Sequence, residues 1–427
     1  MWGRLRRYLG SFSALLLFLL LALGPVDRAW TAVLVQDEAS VRVRAEEAAA
    51  IAWAGHAEQA GALLAGLGRA EPAVFVRVCL ALDANDLERV LNLPGLHRLR
   101  PDETGFIRAL ASRRAALPGE DWVTAFQEAW REVGPIDAAA GTPVRGWTER
   151  IAVQESASPH KPSDPFWAVA TKMQPTTAEV VSVRPLATSS VRKLILVGLL
   201  GRGGRGPAAR IRRELIDELA AAEPDDMTYV LMRLLDGSTG NQPLSDDDFP
   251  ALEEAVGRPR FGVSLASLYE AYRSDLEAAA DPDPVSHAFT AAIVAFPEAP
   301  GTLWLRAKAT QEAGLPVAGE RLAAVLQRVG RELAVQTSLL ARLIGEQTLV
   351  RAALLRGDLA GAKAARAELA TTLALHREGK VREEYLSGWP VPGLLHELTD
   401  RMGRDEIALF RDLVQLPVRA DSLPASR

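Results

Sequence analysis

Nineteen residues without a charge, Tyr8 to Val26, follow a start that carries Arg4, Arg6 and Arg7. No other stretch restricts the fold so strongly. A helix of that length spans about 28 Å, close to the roughly 30 Å hydrocarbon core of a bilayer. Its centre, Ala14 to Leu23, is almost pure Leu, Ala and Phe. The run reads as an uncleaved signal anchor or as a secretory signal peptide, with a buried core helix as a third reading. Cleavage needs small residues one and three positions before the cut. Ala22 and Gly24 have that spacing, but Pro25 would follow the cut; Ala29 and Thr31 are a poorer pair further on. The arginines ahead of the run leave the amino terminus in the cytoplasm and export the rest. Arg outnumbers Lys 43 to 6, which suggests a high-GC bacterial genome. The expected location is therefore the inner membrane, single-pass, with the body in the periplasm; after cleavage the body would be free there.

Composition narrows the chemistry. The single cysteine, Cys79, excludes an intramolecular disulfide and a cysteine-based zinc site, and one thiol in a long exported body fits an oxidising compartment. No cysteine follows the apolar run, so there is no lipoprotein signature. Without residues 1–26 the chain loses three of its 49 basic and none of its 54 acidic residues, leaving a formal −8. That balance argues against a general nucleic-acid binder.

From Asp37 to Val133 apolar residues recur at helical spacing, broken by Gly or Pro. The expected helices are 38–54, 57–67, 72–82, 102–116 and 121–133. Residues 134–185 contain no leucine and seven prolines. Long helices are not expected there; 147–153 and 179–184 alternate weakly and read as short strands. This segment, 134–188, is either a linker or a functional excursion. The helical pattern resumes over 189–417, with expected helices at about 263–279, 284–295, 302–313, 318–333, 337–356, 360–378, 394–402 and 405–413. Ser245 and Asp248 form a capping-box arrangement. Residues 418–427 read as a frayed tail. The expected fold class is all-α: an amino-terminal transmembrane or signal helix, two helical-hairpin bodies and an irregular Pro-rich centre.

Three helix pairs share a construction. Ala48 and Ile51 precede Gly55, followed by Ala60, Leu64 and Leu67. Trp304 and Ala307 precede Gly314, followed by Ala323 and Leu326. Leu349 and Ala353 precede Gly357-Asp358, followed by Ala362 and Leu369. Small residues let antiparallel helices approach, and Gly closes the turn. This spacing resembles the tetratricopeptide repeat over about a third of the chain, although Gly314 and Gly357 lie 43 residues apart where the repeat has about 34. The resemblance implies an α-solenoid whose concave face binds a peptide or protein, here a partner in the cell envelope, and it implies a scaffold or assembly factor rather than an enzyme.

Candidate contacts follow. Trp122, Phe126 and Trp130 make an aromatic stripe on one helix, read as core or as a groove. Trp147, Phe166 and Trp167 lie in the Pro-rich segment, where they either pin it to the helices or meet a partner. Arg202, Arg205 and Arg210, in and after a Gly-rich loop, are candidates for an anion or lipid headgroup. No cofactor or metal site is expected. In His396-Glu397-Leu398-Thr399-Asp400 the second histidine of a zinc-protease helix is replaced by Asp400, and Asp246–Asp248 lack the spacing of a calcium loop. An enzyme with its site near 134–188 is the alternative reading, and it would show titratable groups converging in a pocket. A secreted structural component without an anchor is the third.

Overall fold

A computed structural model of the chain describes residues 32–148, 150, 162–172, 175–201, 206–238, 240–314 and 319–419. The apolar run Tyr8–Val26 lies outside them. Among the described residues no helix is long and apolar enough to cross a membrane. The fold class is all-α. Helix makes up 74 % of the chain, and the described residues contain no strand, only isolated bridges between Ile136 and Val418 and between Asp226 and Arg260. The chain divides into two compact units. One comprises Met1–His160, Arg377–Thr399 and Phe410–Arg427, the other Lys161–His376 and Asp400–Leu409. The carboxy-terminal stretch expected to be one body is thus shared between two units.

The first unit begins with α1 (Ala32–Trp53), α2 (Ala57–Gly66), α3 (Glu71–Asp83), α4 (Leu87–Leu91), α5 (Pro101–Ala116) and α6 (Trp122–Val133). Gly55, at φ +85°, closes the α1–α2 turn, and Ala48 and Ala60 are fully buried where those helices pack. Pro72 opens α3 in its first turn, where its missing N–H costs nothing. The Asp86 and Asp121 carboxylates cap α4 and α6 by accepting from the backbone N–H of Arg89 and Thr124.

The second unit carries α7 (Pro165–Ala170), α8 (Thr177–Ser182), α9 (Ser190–Leu200), α10 (Pro207–Ala222), α11 (Met227–Leu235), α12 (Asp248–Val256), α13 (Leu265–Ala278), α14 (Pro284–Ala295), α15 (Ala299–Glu312), α16 (Gly319–Ala334) and α17 (Leu339–Leu355). The expected strand at 179–184 is corrected: Thr176 and Glu179 form a reciprocal capping box, and that local pairing starts α8 despite two adjacent valines. At 147–153, Trp147, Thr148 and Arg150 are helical and the rest lies outside the described residues. Ser245 does pair with Asp248, its N–H and hydroxyl both donating to the carboxylate. α16 and α17 form the closest hairpin, crossing at Gly330 and Gly345.

The last helices are α18 (Leu359–Ser387) and α19 (Pro392–Val414), and each gives residues to both units. α19 is interrupted at Asp405, whose extended backbone (φ −152°, ψ 86°) separates the two helices read from the sequence. In the first unit Trp389 centres an aromatic core, with ring centroids 4.7 Å from Phe75, 5.2 Å from Phe106 and 5.2 Å from Phe126. These rings are fully buried.

Candidate functional site

Two hollows in the first unit gather charge. The larger, about 520 Å³, lies between the α2–α3 turn, α3 and α4 and is lined by Gly68, Arg69, Arg77, Arg89, Asn92, Leu93 and Pro94. Arg69 sits in the α2–α3 turn, Arg77 on α3 and Arg89 on α4. Arg77 is fixed: its guanidinium donates to the carbonyls of Gly68 at 2.6 Å and of Leu64, at the carboxy-terminal end of α2. The Leu64 carbonyl also accepts from the Leu67 N–H at 3.0 Å, so the cation adds a second donor at the end of α2. Burial and the neighbouring Arg89 charge push the Arg77 guanidinium below its ordinary value. Arg98 donates to the Arg69 carbonyl at 3.3 Å. None of Arg69, Arg77, Arg89 or Arg98 has a carboxylate of a described residue within ion-pair distance.

The smaller hollow, about 260 Å³, is lined by Arg42, Glu71, Arg100, Glu103, Ala140, Gly141, Thr142, Pro143 and Arg145. Glu103 is fully buried. It meets the Arg100 guanidinium at 2.9 Å and accepts from the Arg100 backbone N–H at 3.3 Å. Burial outweighs that cation and, with Glu71 nearby, pushes the Glu103 carboxyl up to about 7. The back wall is held by Thr142, whose hydroxyl donates to the Gly388 carbonyl at 2.9 Å. A carboxyl poised near neutral pH can hold or release a proton there.

The residues singled out by sequence fall elsewhere. Phe126, Trp130, Trp147, Phe166 and Trp167 are fully buried and Trp122 is 9 % exposed. The stripe on α6 faces the core: Trp130 donates its indole N–H to the Pro417 carbonyl at 2.7 Å, and Trp122 lies under the Arg114 guanidinium at 4.2 Å. Phe166 and Trp167 start α7 and pack in the second unit, with Trp167 5.7 Å from Tyr272 and Arg192 over Phe166 at 4.8 Å. All six are core side chains here, so none lines an open groove. Arg202 and Arg205 lie outside the described residues. Arg210 is exposed on α10 with Glu214 at 3.6 Å, and Arg212 and Arg213 both reach Asp236. The described arginines of that run thus answer carboxylates of this chain, in contrast to the cluster at Arg77.

His396 packs against Trp53 at 5.3 Å, and Glu397 accepts from the Val123 N–H at 3.0 Å, an α6 capping role. Asp400 accepts from the Tyr269 hydroxyl at 2.6 Å. Among the described residues no group of three His, Cys, Asp or Glu side chains is placed to hold a metal. Cys79 is fully buried, and burial raises its thiol well above the ordinary value. Sequence reading missed both hollows. Arg69, Arg77, Arg89 and Arg98 are scattered along the chain, and only the turns joining α2, α3 and α4 gather them. Compared with known proteins, the chain matches no protein-family model, no curated protein and no solved structure.

Proposed function

We propose that the chain is a membrane-anchored, exported helical-hairpin scaffold that holds a partner protein in a bacterial envelope complex. One observation supports the reading: a turn built of small buried residues beside a glycine at positive φ recurs along the chain. Buried Ala48 and Ala60 flank Gly55, buried Ala307 and Ala323 flank Gly314, and buried Ala362 follows Gly357, all three glycines lying at positive φ. Helical hairpins that stack present extended surfaces, and their common use is to hold other chains. The anchor and the export rest on the Tyr8–Val26 run and the arginines before it.

The test is crosslinking in intact cells, followed by capture of the carboxy-terminally tagged chain from solubilised membranes and mass spectrometry. Envelope proteins recovered in fixed ratio to the chain support the scaffold. Recovery of the chain alone, in the soluble fraction and lacking residues 1–24, overturns it.

The Glu103 hollow favours a second reading, an exported enzyme using a carboxyl near neutral pH, because part of its wall is the Pro-rich segment at Ala140–Pro143. Its discriminating test is a screen for hydrolysis of envelope substrates by the wild type and Glu103→Gln. A turnover lost in the variant with no loss of stability would move the assignment to catalysis; no turnover in either sinks this reading.

A further inference from the structure

The geometry points to the hollow between the α2–α3 turn, α3 and α4 as a binding site for a phosphate-bearing ligand, gripped by Arg69, Arg77 and Arg89. Three features of the site support this, and none depends on the scaffold reading.

The first is uncompensated charge. Arg69, Arg77 and Arg89 line one hollow without a described carboxylate at ion-pair distance. Other arginines of this acidic chain are answered: Arg212 and Arg213 by Asp236, Arg192 by Asp164 and Asp275, Arg273 and Arg404 by Asp400. Like charges at one spot cost free energy until an anion arrives. A lone carboxylate would neutralise one of the three cations. A phosphomonoester brings close to two negative charges and several acceptor oxygens, which suit the planar fork of arginine.

The second is preorganisation. Arg77 already spends hydrogen bonds on the carbonyls of Gly68 and Leu64, so its head is held in place before any ligand binds. Fixing a long side chain in advance removes its ordering cost from the binding step. The third is room. A hollow of about 520 Å³ exceeds a bare phosphate, and Leu93 and Pro94 offer an apolar wall for the organic part. Asn92 also lines the hollow, and its amide N–H donates to the Glu88 carbonyl at 3.1 Å. The phosphate source is a lipid headgroup or a soluble phosphorylated metabolite; the grip is the same.

The test uses the purified full chain in detergent. Glycerol 3-phosphate and short-chain dihexanoyl phosphatidic acid are titrated separately by calorimetry, with a hexaglutamate peptide as competitor. Saturable one-to-one binding is expected for at least one phosphate probe, and it should weaken at least about tenfold in Arg69→Gln and in Arg89→Gln. Both arginines are surface residues, so these variants keep the fold where Arg77→Gln would also strip the end of α2. Arg210→Gln should bind like the wild type. A phosphatidic acid affinity more than about tenfold above that of glycerol 3-phosphate assigns the lipid source, and equal affinities assign the soluble one. Three results overturn the proposal: no saturable binding of either probe, binding unchanged in both variants, or hexaglutamate binding tighter than both phosphates. The last would make the site a dock for an acidic peptide.

Discussion

Gly345→Ala isolates the hairpin packing of the second unit. Gly345 lies mid-helix in α17, facing Gly330 of α16. A Cβ there would stand 2.4 Å from the Ala334 nitrogen, 2.8 Å from the Gly330 oxygen and 2.8 Å from the Leu333 carbonyl carbon. All three are backbone atoms, so no side chain can rotate away and the helices must separate. In an exposed helix the same change stabilises by about 1 kcal/mol, because alanine restricts the unfolded chain. Overpacking a close crossing costs about 1–3 kcal/mol, and a contact this short belongs at or above the upper end. The net expectation is a loss of about 2 kcal/mol. For a unit of about this size that lowers Tm by roughly 4–8 °C. The matched control is Gly301→Ala in α15, where a Cβ meets nothing within 4 Å; its Tm should stay level or rise. Calorimetric melting of the full chain reads both. A Gly345→Ala chain melting at or above the wild type would refute the close α16–α17 crossing.

Other consequences are as direct. Glu103 is pushed up to about 7 in the folded chain from an ordinary 4.5, so the folded state holds a proton that the unfolded state releases between those values. Its contribution to stability is complete below pH 4.5 and is lost as pH rises to about 7. Across that window Glu103→Gln should gain on the wild type by up to roughly 3 kcal/mol in urea unfolding, and parallel pH profiles would refute the buried carboxyl. Trp389→Ala empties the aromatic core of the first unit and should cost about 3–5 kcal/mol in urea unfolding; a cost under about 1 kcal/mol would mean that the ring cluster does not form. Arg212→Met leaves Asp236 nine-tenths buried without its 2.8 Å partner and should cost about 3–5 kcal/mol, whereas Arg210→Met on the exposed face should stay within about 0.5 kcal/mol. Equal effects of the two would contradict the burial.

The parts of the fold legible in the sequence are those set by local chemistry. α14 runs Pro284–Ala295 as expected, because Pro at its start and the apolar face that follows are both local. The turns at Gly55, Gly314 and Gly357 were readable for the same reason: each requires positive φ. The break near Asp405 showed as an interruption of apolar spacing, and Asp405 caps the helix that follows by accepting from the Ala408 N–H at 2.8 Å. The Pro-rich segment was misread at 179–184, where β-branched valines suggested a strand and the Thr176–Glu179 capping box won. The short α7 hid behind Pro165, which stops a helix from the front but starts one from behind.

The candidate sites were far less legible. Glu103 looks like an ordinary helix-start carboxylate; Tyr385, whose hydroxyl feels its charge, and Thr142, which lines the same hollow, are distant in sequence and unpredictable from periodicity. The aromatics invited attention because Trp is rare and large, and they are large because cores need filling. Arginine clusters read from adjacency pointed to 202–213, where the described cations are paired, while the unanswered cations are spread over 69–98 and meet only through tertiary packing.

The scaffold assignment is tested most directly by native mass spectrometry of the tagged full-length chain, released from its own membranes in mild detergent. A scaffold should appear as a discrete complex in which the chain sits in fixed stoichiometry with a second envelope protein. A spectrum holding only the free chain, from membranes that contain every other envelope component, would contradict it.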